Sequence, residues 1–157
     1  MYCVRNITED LYWVGANDHR LHLFENIHPI PRGVSYNAYL LLDEKTVLFD
    51  TVDWSACRQL LENVEHLLGE RVLDYLVINH MEPDHGASIE EILLRWPDVK
   101  IISTEKSFML MRQFGFHVDS HELIEVKEGD TYNFGGHTVT FVEAPMVHWP
   151  EAMMTFD

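Results

Sequence analysis

Basic residues are scarce in this chain: 11 Lys and Arg stand against 26 Asp and Glu, a formal charge of -15 with histidine neutral. That balance disfavours nucleic acid and anionic membrane surfaces as partners and suits cations or proteins with basic faces. Cysteine is nearly absent too. Cys3 and Cys57 form no CxxC pair and no disulfide-dense pattern, which fits a reduced, cytoplasmic setting better than secretion. No run of roughly 18 apolar residues occurs, so no membrane-spanning helix is expected, and the charged start has no signal-peptide core. Internal repeats, low-complexity tracts and flexible linkers are missing as well. With 157 residues and 46% apolar side chains, the chain reads as one module with its own core.

What is present alternates between strand and helix patterns. Residues 11–16 and 21–25 read as short strands, and the Pro/Gly segment at 28–33 as a break. Residues 36–42 and 46–51 predict a hairpin across Asp43-Glu44-Lys45, with the second strand ending at Asp50. Leu60, Leu61, Val64, Leu67 and Leu68 recur at helical spacing until Gly69, with Asp53 or Ser55 as the capping residue. The apolar run 73–79 predicts a strand covered on both faces that delivers His80 at its end. A helix at 88–96, a strand at 99–103 and a helix at 105–114 closed by Gly115 follow. Residues 123–126, 131–134 and 137–144 read as strands, the last two joined at Gly135-Gly136. The expected class is α/β, with a second β region towards the end.

The segment Asn79-His80-Met81-Glu82-Pro83-Asp84-His85-Gly86 concentrates potential metal ligands where a strand gives way to a helix. A loop at the carboxyl end of a strand lets alternate residues fan toward one point, which is where α/β sheets place their ligand sites. His80, Glu82, Asp84 and His85 could thus face two adjacent ions. The competing reading has Asp84 capping the next helix and the other three solvated. His148 sits in a second proline-bounded loop, Glu143-Ala144-Pro145-Met146-Val147-His148-Trp149-Pro150, and is the natural fifth ligand once the first cluster is granted. Alone, it would be read as structural or merely exposed. The other histidines, His19, His22 and His28 among them, read as inert surface or packing residues, and Trp149 as packing around the site.

HxExDH followed by APMVHWP resembles the flavodiiron protein family, oxygen or nitric oxide reductases of the metallo-β-lactamase superfamily. Leu11-Tyr12-Trp13-Val14-Gly15-Ala16, Arg32-Gly33-Val34-Ser35-Tyr36-Asn37-Ala38-Tyr39-Leu40 and Val47-Leu48-Phe49-Asp50-Thr51 extend the resemblance over nearly the whole chain. It implies a metallo-β-lactamase-like αββα sandwich of which residues 1–157 make a partial domain, the first sheet and the start of the second. It implies one iron held by His80, Glu82 and His148 and another by Asp84 and His85, in a site that reduces O2 to water, NO to nitrous oxide, or both. The zinc hydrolases of the superfamily have HxHxDH; Glu82 in the middle position gives a harder ligand set, which favours iron.

The resemblance also sets expectations about what lies outside the chain. A bridging aspartate and a final histidine ligand come later in the family; Asp157 resembles the strand before that aspartate and is not assigned its role. The flavodoxin-like domain that binds flavin mononucleotide (FMN) is absent from these residues, so the chain is expected not to turn over alone. Family members form head-to-tail homo-oligomers and take electrons from rubredoxin or a flavin reductase. Two other readings stand beside this one: a metal-dependent hydrolase of the same fold, and a metal-binding module without activity.

Overall fold

A computed structural model describes residues 2–157. In chain order, β1 (Arg5–Asn6) pairs with β2 (Leu11–Trp13), β3 (Ala16–Asp18) with β6 (Val34–Tyr36), and β4 (Leu23–Phe24) with β5 (His28–Pro29), all antiparallel. The hairpin predicted across Asp43-Glu44-Lys45 is β7 (Tyr39–Leu42) and β8 (Thr46–Phe49). A 3-10 turn at Trp54–Ala56 leads into α1 (Cys57–Leu68), and β9 (Tyr75–Val77), α2 (Pro83–Gly86), α3 (Ile89–Arg95), β10 (Lys100–Ser103) and α4 (Glu105–Gln113) follow. The chain then runs through β11 (Leu123–Glu125), β12 (Thr131–Asn133), β13 (Thr138–Glu143) and β14 (Met153–Phe156).

Seven of these strands make one sheet, ordered β1-β2-β7-β8-β9-β10-β11, in which β8 through β11 run parallel. A second sheet has the order β12-β13-β14 and is antiparallel. The two-residue period of a strand explains how they stack. Leu40, Leu48, Leu76 and Ile101 point to one face and pack with Leu60 and Val64 of α1, Ile92 of α3 and Met111 of α4. Leu41, Val47, Tyr75, Val77 and Ile102 point to the other and pack with Phe134, Val139, Phe141 and Met153 of the second sheet region. The result is a helix–sheet–sheet stack with β9 buried on both faces, as its continuous apolar run predicts.

Several expected boundaries move, each for a physical reason. The strand expected at 11–16 breaks at Val14-Gly15 because the chain passes hard against a neighbour: a β-carbon on Gly15 would lie 2.0 Å from the Tyr36 carbonyl oxygen. The break is held by Asn63 of α1, fully buried, whose side-chain amide donates to the Val14 carbonyl at 2.8 Å. Part of the segment expected to be a break, residues 28–33, pairs as β5 and leads into β6. Asp53 does cap, accepting the Ser55 N–H at 2.8 Å, but the element it starts is the 3-10 turn and not α1 itself. The run 73–79 is regular strand only at Tyr75–Val77, since Asn79 and His80 already turn into the ligand loop.

The two sheets are tied at their edge by His137. Its ring stands between Asp10 Oδ2 at 2.9 Å and Asp157 Oδ2 at 2.5 Å, and its backbone N–H donates to Asp43 Oδ2 at 2.8 Å. These partners come from the start of β2, the β7–β8 turn and the residue after β14.

Candidate metal centre

The carboxyl ends of β8 and β9 and the loop between β13 and β14 meet at one end of the stack, where they bring the five expected ligands together. His80 follows β9; Pro83 at the first position of α2 forces the extended backbone at Glu82 and then starts a helical turn that carries Asp84 and His85. Glu82 precedes that turn without using its carboxylate as a cap, which leaves the side chain free to face the histidines. Asp84 lies inside the turn, so the reading of Asp84 as the cap of the following helix does not hold.

One Glu82 oxygen, Oε2, is the centre of the first group. It lies 3.1 Å from His80 Nε2 and 2.8 Å from His148 Nε2, and donor atoms of the three residues lie within 4.8 Å of one another. Bonds of roughly 2.1 Å to a shared cation at right angles put ligand atoms about 3 Å apart, which is the spacing seen. Glu82 is buried, His80 nearly so, and His148 exposed, so the group opens to solvent at His148. Beside it stands a second pair. His85 Nε2 lies 3.6 Å from Asp84 Oδ2, and the His80 and His85 ring centroids are 5.2 Å apart.

Charge in this corner is unbalanced in the manner a cation would correct. Burial pushes the Asp84 carboxyl above its ordinary range, and the charge of Glu82 adds to the shift against the opposing pull of His85 and His80. Its Oδ1 is buried with no hydrogen-bond partner, a costly state for an acceptor in the absence of a positive ligand. Burial pulls the His85 imidazole down, yet the Asp50 hydrogen bond and the charges of Asp50, Asp84 and Glu82 together carry it above its usual value. The donor set therefore fits metal, and its oxygen content fits a hard or intermediate ion better than a thiolate-loving one.

Residues outside the predicted five support them. His85 Nδ1 lies 3.3 Å from Asp50 Oδ2, while Asp50 Oδ1 accepts the Asn79 N–H at 2.6 Å from a left-handed backbone at φ 56. Thr51 binds the His85 carbonyl through both its N–H, at 2.9 Å, and its hydroxyl. Trp149 packs edge-on against His80, with centroids 5.5 Å apart. Glu151, absent from the sequence-derived set, reaches His80 Nδ1 at 2.8 Å. His19 and His28 are exposed; His19 Nδ1 meets the Arg32 carbonyl at 3.1 Å and His22 accepts the Ile30 N–H through its own carbonyl.

A helix–sheet–sheet stack with His, Glu and Asp side chains converging at its strand ends defines a metallo-β-lactamase-like metal-binding fold. Residues 34–157 match the family described as ODP family beta lactamase, and the chain belongs to that family. It is 38% identical over 151 residues to a nitric oxide reductase of Moorella thermoacetica, covering 96% of this chain and 38% of the relative. To an anaerobic nitric oxide reductase flavorubredoxin of Pectobacterium carotovorum it is 36% identical over 153 residues, 96% of this chain and 30% of the relative. Among solved structures, the rubredoxin oxygen:oxidoreductase of Desulfovibrio gigas superposes with a TM-score of 0.91 at 34% identity, over 98% of this chain and 38% of that one. The flavodiiron protein of Giardia intestinalis gives the same TM-score at 24% identity over 99% of this chain and 38% of that one, a likeness of fold. The chain thus spans well under half the length of these relatives.

Proposed function

We propose that this chain is the iron-binding part of a flavodiiron oxidoreductase that reduces O2 to water, NO to nitrous oxide, or both. The observation that carries the reading is the single Glu82 oxygen facing His80 and His148, with Asp84 and His85 alongside. His80, Glu82 and His148 would hold one iron, and Asp84 and His85 would contribute to a second. When bound, an iron pair supplies two adjacent redox-active centres able to give electrons to O2 or to two NO molecules, which zinc does not.

The protein's own part is to bind and orient. Asp50 fixes the His85 ring, Trp149 shields one side of His80, and the exposed His148 leaves an approach from solvent. A cleft of about 340 Å³ between the sheets reaches His85 and Asp50 past Leu11, Leu41, Phe49 and Val139. Its mostly apolar lining suits a small uncharged gas better than a charged substrate. Sustained turnover requires electrons from FMN on a flavodoxin-like domain, itself reduced by rubredoxin or a flavin reductase; one relative is a flavorubredoxin and another a rubredoxin oxygen:oxidoreductase. A cytoplasmic location and a homo-oligomer complete the reading.

The test is a single turnover. Protein loaded with ferrous iron without oxygen is mixed with NO, and the headspace is assayed for nitrous oxide; balance requires two NO, two electrons and two protons for each nitrous oxide and water. Nitrous oxide in step with iron oxidation, lost in His148→Ala, supports the reading. A protein that retains no iron, or one whose iron content and reaction with NO are unchanged in His148→Ala, contradicts it.

A further inference from the structure

Glu151 is a buried carboxyl group outside the expected ligand set. It is 2% exposed, comes from the loop that presents His148, and reaches across 71 positions of sequence to His80. One oxygen, Oε1, lies 2.8 Å from His80 Nδ1 and accepts the Met81 N–H at 2.9 Å. The other, Oε2, is buried with no hydrogen-bond partner. A buried carboxylate left half unsatisfied is expensive, so whatever keeps it must use the oxygen that is engaged.

We propose that Glu151 is a positioning residue that fixes His80 as the tautomer protonated at Nδ1, so that the bare Nε2 faces Glu82 and is available to a metal ion. Glu151 Oε1 accepts the Met81 N–H, and because a carboxylate can only accept, the short contact to His80 is satisfied when Nδ1–H donates. The proton is then on the far side of the ring. His80 Nε2 and Glu82 Oε2, 3.1 Å apart, present two lone pairs to one another, an arrangement that a cation between them turns from repulsive to favourable. A carboxylate behind a metal-bound histidine also makes its imidazole a stronger donor.

Glu151 acts on a second ligand through the backbone. Its loop is closed by the Ala144 N–H donating to Ala152 O and the Met146 N–H donating to Trp149 O, both at 2.8 Å, and its carbonyl accepts from Thr104 Oγ1 at 3.4 Å. The buried carboxylate is therefore the peg that seats the His148 loop on the His80 loop. One residue sets the orientation of His80 and the place of His148. Asp50, directly after β8, stands behind His85 in a comparable way and also accepts the N–H of Asn79, the residue before His80, but none of its hydrogen bonds reaches the His148 loop.

This inference rests on the proposed metal site, and its test separates the two. Long-range proton–nitrogen NMR on the metal-free protein reads the His80 tautomer directly; a proton on Nδ1 is expected, and a proton on Nε2 alone overturns the assignment without any variant. Co(II) titration, followed by visible absorbance, then compares the unaltered protein with Glu151→Gln and Glu151→Asp. Glu151→Gln should weaken Co(II) binding about 10- to 100-fold, with Glu151→Asp recovering part of the loss. Combined with His148→Ala, Glu151→Gln should add less than it does alone, because the loop it seats no longer carries a ligand. Co(II) affinity unchanged by Glu151→Gln overturns the positioning role and leaves the metal site standing. An unaltered protein that takes no Co(II) overturns the metal site and this inference with it.

Discussion

At the scale of single residues, the site was legible where chemistry is dense and hidden where it is dispersed. His80, Glu82, Asp84 and His85 could be read because unlike ligands crowd into one turn, and His148 because proline on either side marks its loop. Glu151 could not, since a glutamate in an acidic chain carries no signal and its partner lies 71 positions away. The middle residue of the motif does most to choose the metal, because Glu82 replaces a nitrogen ligand with an oxygen. Asp84 shows what the site costs the apo-protein. Burial raises its carboxyl above its unfolded value, so its ionisation opposes folding, and this cost grows as pH rises from the ordinary aspartate range through the raised folded value. Asp84→Asn should therefore raise the thermal midpoint of the metal-free protein at pH 7 while lowering its iron content. A lower midpoint in calorimetry would show that the Asp84 charge is already compensated in the metal-free fold.

At the scale of elements, length decided what could be read. The helices α1 and α4 and the strand β9 were legible because each holds its period or apolar run long enough to stand out, and glycine at 69 and 115 marks two ends. Of the shortest strands, β4 falls within the run 21–25 that reads as a strand, whereas β1, β3 and β5 were not legible, because so few positions carry no period and their pairing is set by contacts from elsewhere. Nor does any local pattern reveal that β8 lies beside β9, with α1 crossing between them.

The inter-sheet tie at His137 is another pairing invisible in sequence, and it carries a pH dependence. Its hydrogen bonds to Asp10 and Asp157 raise the imidazole above its ordinary value, against partial burial; Asp43, on its backbone N–H, adds a third nearby carboxylate. Because the folded value is the higher one, this stabilisation is full below the ordinary histidine range and is lost as pH rises through the raised folded value. Denaturant midpoints should fall between pH 6 and pH 8 more steeply for the unaltered protein than for His137→Gln. Equal slopes would show that the two sheets do not depend on this charge.

At the scale of the whole molecule, the helix–sheet–sheet stack gathers its candidate ligands at one end under a strong net negative charge, which favours cations over anionic partners.

The central claim is that the ligands at the strand ends hold iron. It is tested most directly by the iron bound per chain after reconstitution with ferrous ion in the absence of oxygen and removal of the excess, measured beside His148→Ala. An iron pair predicts about two irons per chain, with the variant holding markedly less. No retained iron, or the same content in both proteins, would contradict it.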